Sequence, residues 1–133
     1  MILSGPPTAV RTLLADDSCV IRHAVGELLS SYPGIDLVGL ASNFQEAIHL
    51  VGLLKPDVIV VDLGMTAAMN EEVKTLRAIS DAFTVVISAT TNNDSMTVAR
   101  ELGADVFIDK MKLFDDLIPA ILGRRSSEQP IPL

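Results

Sequence analysis

The chain holds one cysteine among 133 residues, no tryptophan, one tyrosine and four phenylalanines. A lone thiol excludes a disulfide framework and fits a reducing, cytoplasmic setting. No stretch approaches the ~18 uninterrupted apolar residues that a bilayer span requires. The opening MILSGPPT lacks the basic and apolar segments of a secretion signal, so membrane and export roles are not expected. Basic residues are scarce too: ten Lys and Arg stand against seventeen Asp and Glu, a formal charge of -7. Nucleic-acid binding needs a dense cationic face, and this segment is not expected to contact nucleic acid directly.

What is plentiful is apolar material, 49% of residues beside 20% charged, the composition of one folded domain. A chain of this length buries roughly two thirds of its unfolded surface, so a core can form without disulfides or a structural metal. Short apolar runs alternate with longer stretches of helical period, the pattern of βα units wound into a parallel sheet. Five units can be read. RTLLA at 11–15 is a strand, and the helix after it turns Ile21, Val25, Leu28 and Leu29 to one face before the break at 32–34. IDLVGLA at 35–41 reads as a strand nearer an edge. Its helix opens at Asn43 with Glu46 three residues on, the spacing of a capping box, and turns Phe44, Ile48 and Val51 inward until Lys55 and Pro56 stop it.

VIVVD at 58–62 is the third strand, followed by a loop, LGMTAAMN, and a helix near 71–80 with Val73 and Leu76 inward. FTVVISA at 83–89 leads through a polar stretch into a helix that ends at Gly103, a good residue for a left-handed terminus. ADVFID at 104–109 precedes a last helix near 114–122, where Pro119 removes a backbone donor and should kink or shorten it. Residues 1–10 read as an extension, 11–123 as the domain and 124–133 as a tail or the start of a linker.

Asp62 is the anomaly, a carboxylate directly after four β-branched residues that describe a strand buried on both faces. In a doubly wound sheet the C-terminal strand ends meet at one edge, and ligands bind there. With strand order 2-1-3-4-5, that edge gathers Asp16 and Asp17, Asp62, Ser88 and Lys110. Carboxylates within ~4 to 6 Å raise one another's pKa unless a cation intervenes. Hard oxygen ligands suit Mg2+, and an aspartate beside such an ion and a lysine can act as nucleophile toward phosphorus. Blander roles compete: Asp16 and Asp17 as helix N-terminal acids, Cys19 as apolar filler, Met65 and Met69 as packing, His23 and His49 as solvated surface.

LLADDS, KPDVIVVDLGM, VVISAT and GADVFIDK, in that order and each at a strand end, resemble the receiver domain of two-component response regulators over about residues 10 to 123. The resemblance implies a flavodoxin-like (βα)5 fold and a signalling role, not that of an enzyme beyond its own phosphotransfer and dephosphorylation. Asp62 would take a phosphoryl group from a histidine kinase, a phosphotransfer protein or a small phosphodonor. Asp17 and the Gly64 carbonyl would join Asp62 as direct Mg2+ ligands, with Asp16 acting through water. Lys110 would bind a phosphoryl oxygen, Ser88 would move to the phosphoryl group, and Phe107 would turn into the vacated space. The fourth helix, fifth strand and fifth helix would form the output face, through which two copies can pair.

The chain departs from that pattern at Thr66 and Met111, where the family usually carries proline, so both loops should be looser. Gly64 and Thr90 would border the path of an attacking water. The phrasing LLADDS with KPDVIVVD resembles receivers that precede a LuxR-type DNA-binding domain, so a role in transcription regulation would follow for the parent protein. Two further readings stay open: a receiver that serves as a phosphorylation-independent interaction domain, and a Mg2+-dependent phosphohydrolase with an aspartate nucleophile. Against the latter, the haloacid dehalogenase type carries a second aspartate where this chain has Gly64.

Overall fold

The VIVVD run forms β3, Val58–Asp62, buried along its whole length. It is the central strand of a parallel five-stranded sheet, with β1 (Val10–Ala15) and β4 (Phe83–Ser88) beside it and β2 (Ile35–Ala41) and β5 (Val106–Asp109) at the edges. The order is 2-1-3-4-5, the one expected from the alternating runs. The computed structural model describes residues 9–65 and 70–127. Within them the helices are α1 (Cys19–Ser30), α2 (Phe44–Leu54), α3 (Asn70–Ile79), α4 (Asn93–Glu101) and α5 (Leu113–Ser127).

Two cores explain the unbroken apolar run of β3. Successive strand side chains point to opposite faces, so a sheet covered on both sides needs an apolar residue at every position. Val58 and Val60 pack with Val25 and Leu29 of α1 and with Leu117 and Ile121 of α5. Ile59 and Val61 pack with Phe44 and Val51 of α2, Val73 and Leu76 of α3, and Leu102. Each such side chain contributes roughly 1.5–3 kcal/mol by leaving water, which is what holds β3 in the middle.

Local signals set the helix ends. The Asn43 side chain accepts the Glu46 N–H at 2.8 Å and so starts α2. The Glu46 carboxylate reaches Ser42 instead, accepting its N–H at 2.6 Å and its hydroxyl at 3.0 Å, one residue before the partner a capping box would use. Gly103, at φ 78°, ends α4 in the left-handed conformation as expected. Lys55 ends α2 the same way at φ 47°.

Phe44, Ile48 and Val51 of α2 face the core as expected, Ile48 half-buried, and Ala47 is buried as well, against Ala15 and Ala41. Several expectations need correction. Pro119 does not shorten the last helix, which runs to Ser127 and so extends into the expected tail. The proline is exposed while Leu117, Ile118 and Ile121 are buried. The carbonyl that loses its partner can therefore be hydrated as the apolar face keeps the helix docked. Cys19 is exposed at the start of α1 and fills nothing. The segment after β5, at Lys110–Lys112, makes a 3-10 turn, capped by the Asp109 carboxylate, which accepts the Met111 N–H at 2.9 Å. Thr66 and Met69 lie outside the described residues. His23 and His49 are exposed, as expected.

Candidate functional site

Strand direction brings the chemistry together. β1 ends at Ala15, β3 at Asp62, β4 at Ser88 and β5 at Asp109, all at one edge of the sheet. Oxygen atoms of Asp16, Asp17 and Asp62 lie within 4.8 Å of one another. Lys110 Nζ stands 3.1 Å from Asp62 Oδ1 and 3.4 Å from Asp16 Oδ2. A cavity of about 400 Å3 opens beside them, lined by Asp17, Asp62, Gly64, Ser88, Thr90 and Lys110 among others.

Burial and hydrogen bonding divide these carboxylates. Asp16 has no exposed surface. Its Oδ1 accepts the Ser18 N–H at 2.8 Å, while its Oδ2 makes no hydrogen bond among the described residues and faces the Lys110 ammonium. Asp17 is exposed. Asp62 is 2% exposed, and its Oδ1 accepts the Gly64 N–H at 3.0 Å. Burial pushes the Asp62 carboxyl up from the ordinary aspartate range. The Gly64 N–H and Lys110 pull it down and the Asp16 charge pushes it up, leaving it raised. Burial alone would lower the Lys110 pKa, but Asp62 and Asp16 outweigh it and hold the ammonium charged.

Gly64 brings the backbone close to the Asp62 carboxylate. A Cβ there would stand 3.2 Å from Asp62 Oδ2 and 3.3 Å from Oδ1, so a side chain would press on the carboxylate. The acid/base aspartate that a phosphohydrolase of the kind considered above would carry here is absent, the position being glycine. Ser88 is buried, and its hydroxyl accepts the Thr90 N–H at 3.1 Å. The Thr90 hydroxyl pairs with the Ser95 hydroxyl at the start of α4. Phe107 is half-buried against the core on the α4 side.

The donor set suits a hard divalent cation. Carboxylate oxygens are its ligands of choice, and a buried oxygen without a donor leaves a position that a cation or its water satisfies. Asp94 and Ser95 also line the cavity, and Arg22 binds the backbone of Asp16. None of the three stands out in the sequence, because polar residues on helix first turns and faces are ordinarily solvated. Their relevance comes from where α1 and α4 meet the sheet.

The sequence profile described as the response regulator receiver domain matches residues 12–122. The chain belongs to the response regulator receiver family. PdtaR of Mycobacterium tuberculosis, a transcriptional regulatory protein, is 34% identical over 131 residues, covering 90% of this chain and 61% of that one. The nitrate/nitrite response regulator NarL of Escherichia coli is 37% identical over 112 residues, 82% of this chain and 51% of that one. This receiver thus spans about half to three fifths of these two relatives. Among solved structures, the response regulator domain of Thermotoga maritima CheB matches with a TM-score of 0.74 at 26% identity, covering 94% of this receiver and 99% of that chain. A LuxR-family response regulator from Aurantimonas matches at 0.78 and 24% identity, covering 90% and 86%, and speaks to the fold alone.

Proposed function

We propose that this receiver accepts a phosphoryl group on Asp62 and relays the change to its α4-β5-α5 face, where an output domain or a second copy binds. The observation that carries the reading is the Asp62 carboxylate, 2% exposed and open to the cavity beside Lys110, next to an Asp16 oxygen that lacks a donor. The receiver unit reaches from β1, which starts at Val10, to the end of α5 at Ser127, past the boundary at 123 read from the sequence. Its donor is a histidine kinase, a phosphotransfer protein or a small phosphodonor. The setting is cytoplasmic, in keeping with the single exposed free thiol.

In the transfer, an Asp62 oxygen attacks phosphorus in line, the new O–P bond forms, and the bond to the donor's leaving group breaks with its electron pair. Asp17, Asp62 and the Gly64 carbonyl would hold Mg2+ directly, and Asp16 through water. When bound, Mg2+ neutralises charge that develops on the phosphoryl oxygens. Lys110 supplies the second positive charge. It now pairs with Asp62 and Asp16 and moves to a phosphoryl oxygen once Asp62 is phosphorylated. Ser88 leaves the Thr90 N–H and donates its hydroxyl proton to another phosphoryl oxygen, and Phe107 fills the space it vacates. A tenfold shift between two packings needs only ~1.4 kcal/mol, within the reach of one charge-assisted hydrogen bond.

The test is incubation with Mg2+ and acetyl phosphate, read by intact-mass spectrometry. One added phosphoryl group is expected, lost in Asp62→Asn and on chelation. No adduct on the folded wild type, or an adduct that survives Asp62→Asn, overturns the reading and leaves an interaction domain that works without phosphate.

A further inference from the structure

Arg22, on the first turns of α1, reaches back under the acidic loop. Its Nη1 donates to the backbone carbonyl of Asp16 at 2.8 Å. That carbonyl belongs to the peptide unit that joins Asp16 to Asp17, so its direction sets where the Asp17 side chain begins. Other bonds fix the loop on either side of Asp17: the Asp16 N–H donates to the Ala41 carbonyl at 3.0 Å, Asp16 Oδ1 accepts the Ser18 N–H, and Ser18 caps α1 by accepting the Ile21 N–H on its hydroxyl at 3.2 Å and the Arg22 N–H on its carbonyl at 2.8 Å. Asp17 differs, because its side chain is exposed and lies one residue further out. Its oxygen nevertheless falls within 4.8 Å of those of Asp16 and Asp62. An exposed carboxylate keeps such a place only where the backbone carrying it is held.

We infer that Arg22 is a positioning residue for divalent-cation binding, its guanidinium fixing the Asp16–Asp17 peptide so that the Asp17 carboxylate faces the other two. This rests on the Mg2+ reading given above. Three roles for Arg22 differ in sign. As a nearby positive charge alone it would repel a divalent cation, and its loss would tighten binding. As an anchor for α1 alone it would affect melting and leave affinity untouched. As a positioning group its loss weakens binding, as removal of an outer partner of a metal ligand does, by about tenfold or more.

The experiment is a MgCl2 titration of wild type, R22K and R22Q, followed through the backbone amide resonances of Asp17 and Gly64 by NMR, with melts in EDTA alongside. R22Q should bind Mg2+ about tenfold more weakly. R22K, which keeps one charged donor, should recover part of that affinity. Both variants keep a polar head, so the comparison does not depend on a fold-breaking truncation. R22Q that binds as tightly as wild type, or more tightly, overturns the inference while leaving the metal reading intact. A folded wild type without Mg2+-dependent shifts overturns the metal reading and this inference with it.

Discussion

Aspartates stand at both ends of the sheet. At the N-terminal ends, Asp57 precedes β3 and Asp105 precedes β5, and each is bound into the strand beside it. Asp57 donates its N–H to the Arg11 carbonyl at 2.8 Å and accepts the Arg11 N–H on Oδ2 at 2.9 Å. Asp105 repeats the pattern with Thr84, at 2.8 Å in both directions. At the C-terminal ends, Asp16 Oδ2 makes no hydrogen bond among the described residues, and Asp16 and Asp62 share the ammonium of Lys110. Each of the four aspartates accepts one backbone N–H, so burial and crowded charge make the difference: Asp57 is half-buried and Asp105 exposed, whereas Asp16 and Asp62 are enclosed with one lysine between them. Charge that is left in need of a partner at one edge is what a cation and a phosphoryl group can use.

The contrast breaks most readily at Lys110. Removing one partner of an enclosed ion pair costs roughly 3–5 kcal/mol, and the open cavity lets water soften that. Lys110→Met should therefore lose about 2–3 kcal/mol in urea unfolding at neutral pH without metal. The loss should shrink as acid protonates the orphaned carboxylates. An unchanged midpoint would mean that the acidic edge is not strained at all.

Next in size is the opposite edge. Asp57→Ala leaves the Arg11 N–H without its acceptor and should cost about 1–2 kcal/mol, whereas Asp57→Asn, which keeps an acceptor, should cost less. Equal losses for both would show that the charge and not the hydrogen bond matters there.

Asp62→Asn should act with the reverse sign. Burial raises the folded pKa of Asp62 above its unfolded value. The folded state therefore holds the proton more tightly, and stability falls as pH rises from the unfolded pKa through the folded one. Asparagine carries no such penalty, so Asp62→Asn should melt a few degrees higher at neutral pH without metal, on the order of 1 kcal/mol. The gain should vanish below the ordinary aspartate range. A lower melting temperature would place Asp62 with Asp57 among the structural carboxylates.

The smallest effect belongs to Glu46, an exposed acid that has its donors. The Ser42 N–H, then its hydroxyl, hold the Glu46 carboxyl below its usual range against a small opposing effect of desolvation, with Arg22 adding a lesser pull. A depressed folded pKa gives stability that is present above the unfolded value and lost as pH falls through the folded one. Glu46→Gln should melt slightly lower than wild type near neutrality and equal to it in acid. A difference that ignores pH would show that the cap serves the neutral and ionised forms alike.

Periodicity alone carried much of the fold. The continuous apolar run at 58–61 marked a doubly covered strand, and Asn43, Lys55 and Gly103 marked helix ends, because these signals are local. Local signals misjudge what depends on neighbours. Pro119 was expected to shorten α5 because a missing donor is visible in the chain, whereas its exposed setting is not. The residue type of Cys19 suggests apolar filler, and only the direction of α1 turns it to solvent.

The site divides along the same line. Residue types, their order and the strand ends they follow were determined by the sequence, which is why Asp16, Asp17, Asp62, Ser88 and Lys110 could be grouped before any geometry was known. Tertiary structure decided which carboxylate oxygen goes without a hydrogen bond among the described residues, that Gly64 lies close against the Asp62 carboxylate, and that Arg22 holds the Asp16 carbonyl. A parallel sheet converts sequence order into a shared edge by rule, but the number of donors reaching each oxygen depends on packing among segments distant in the chain.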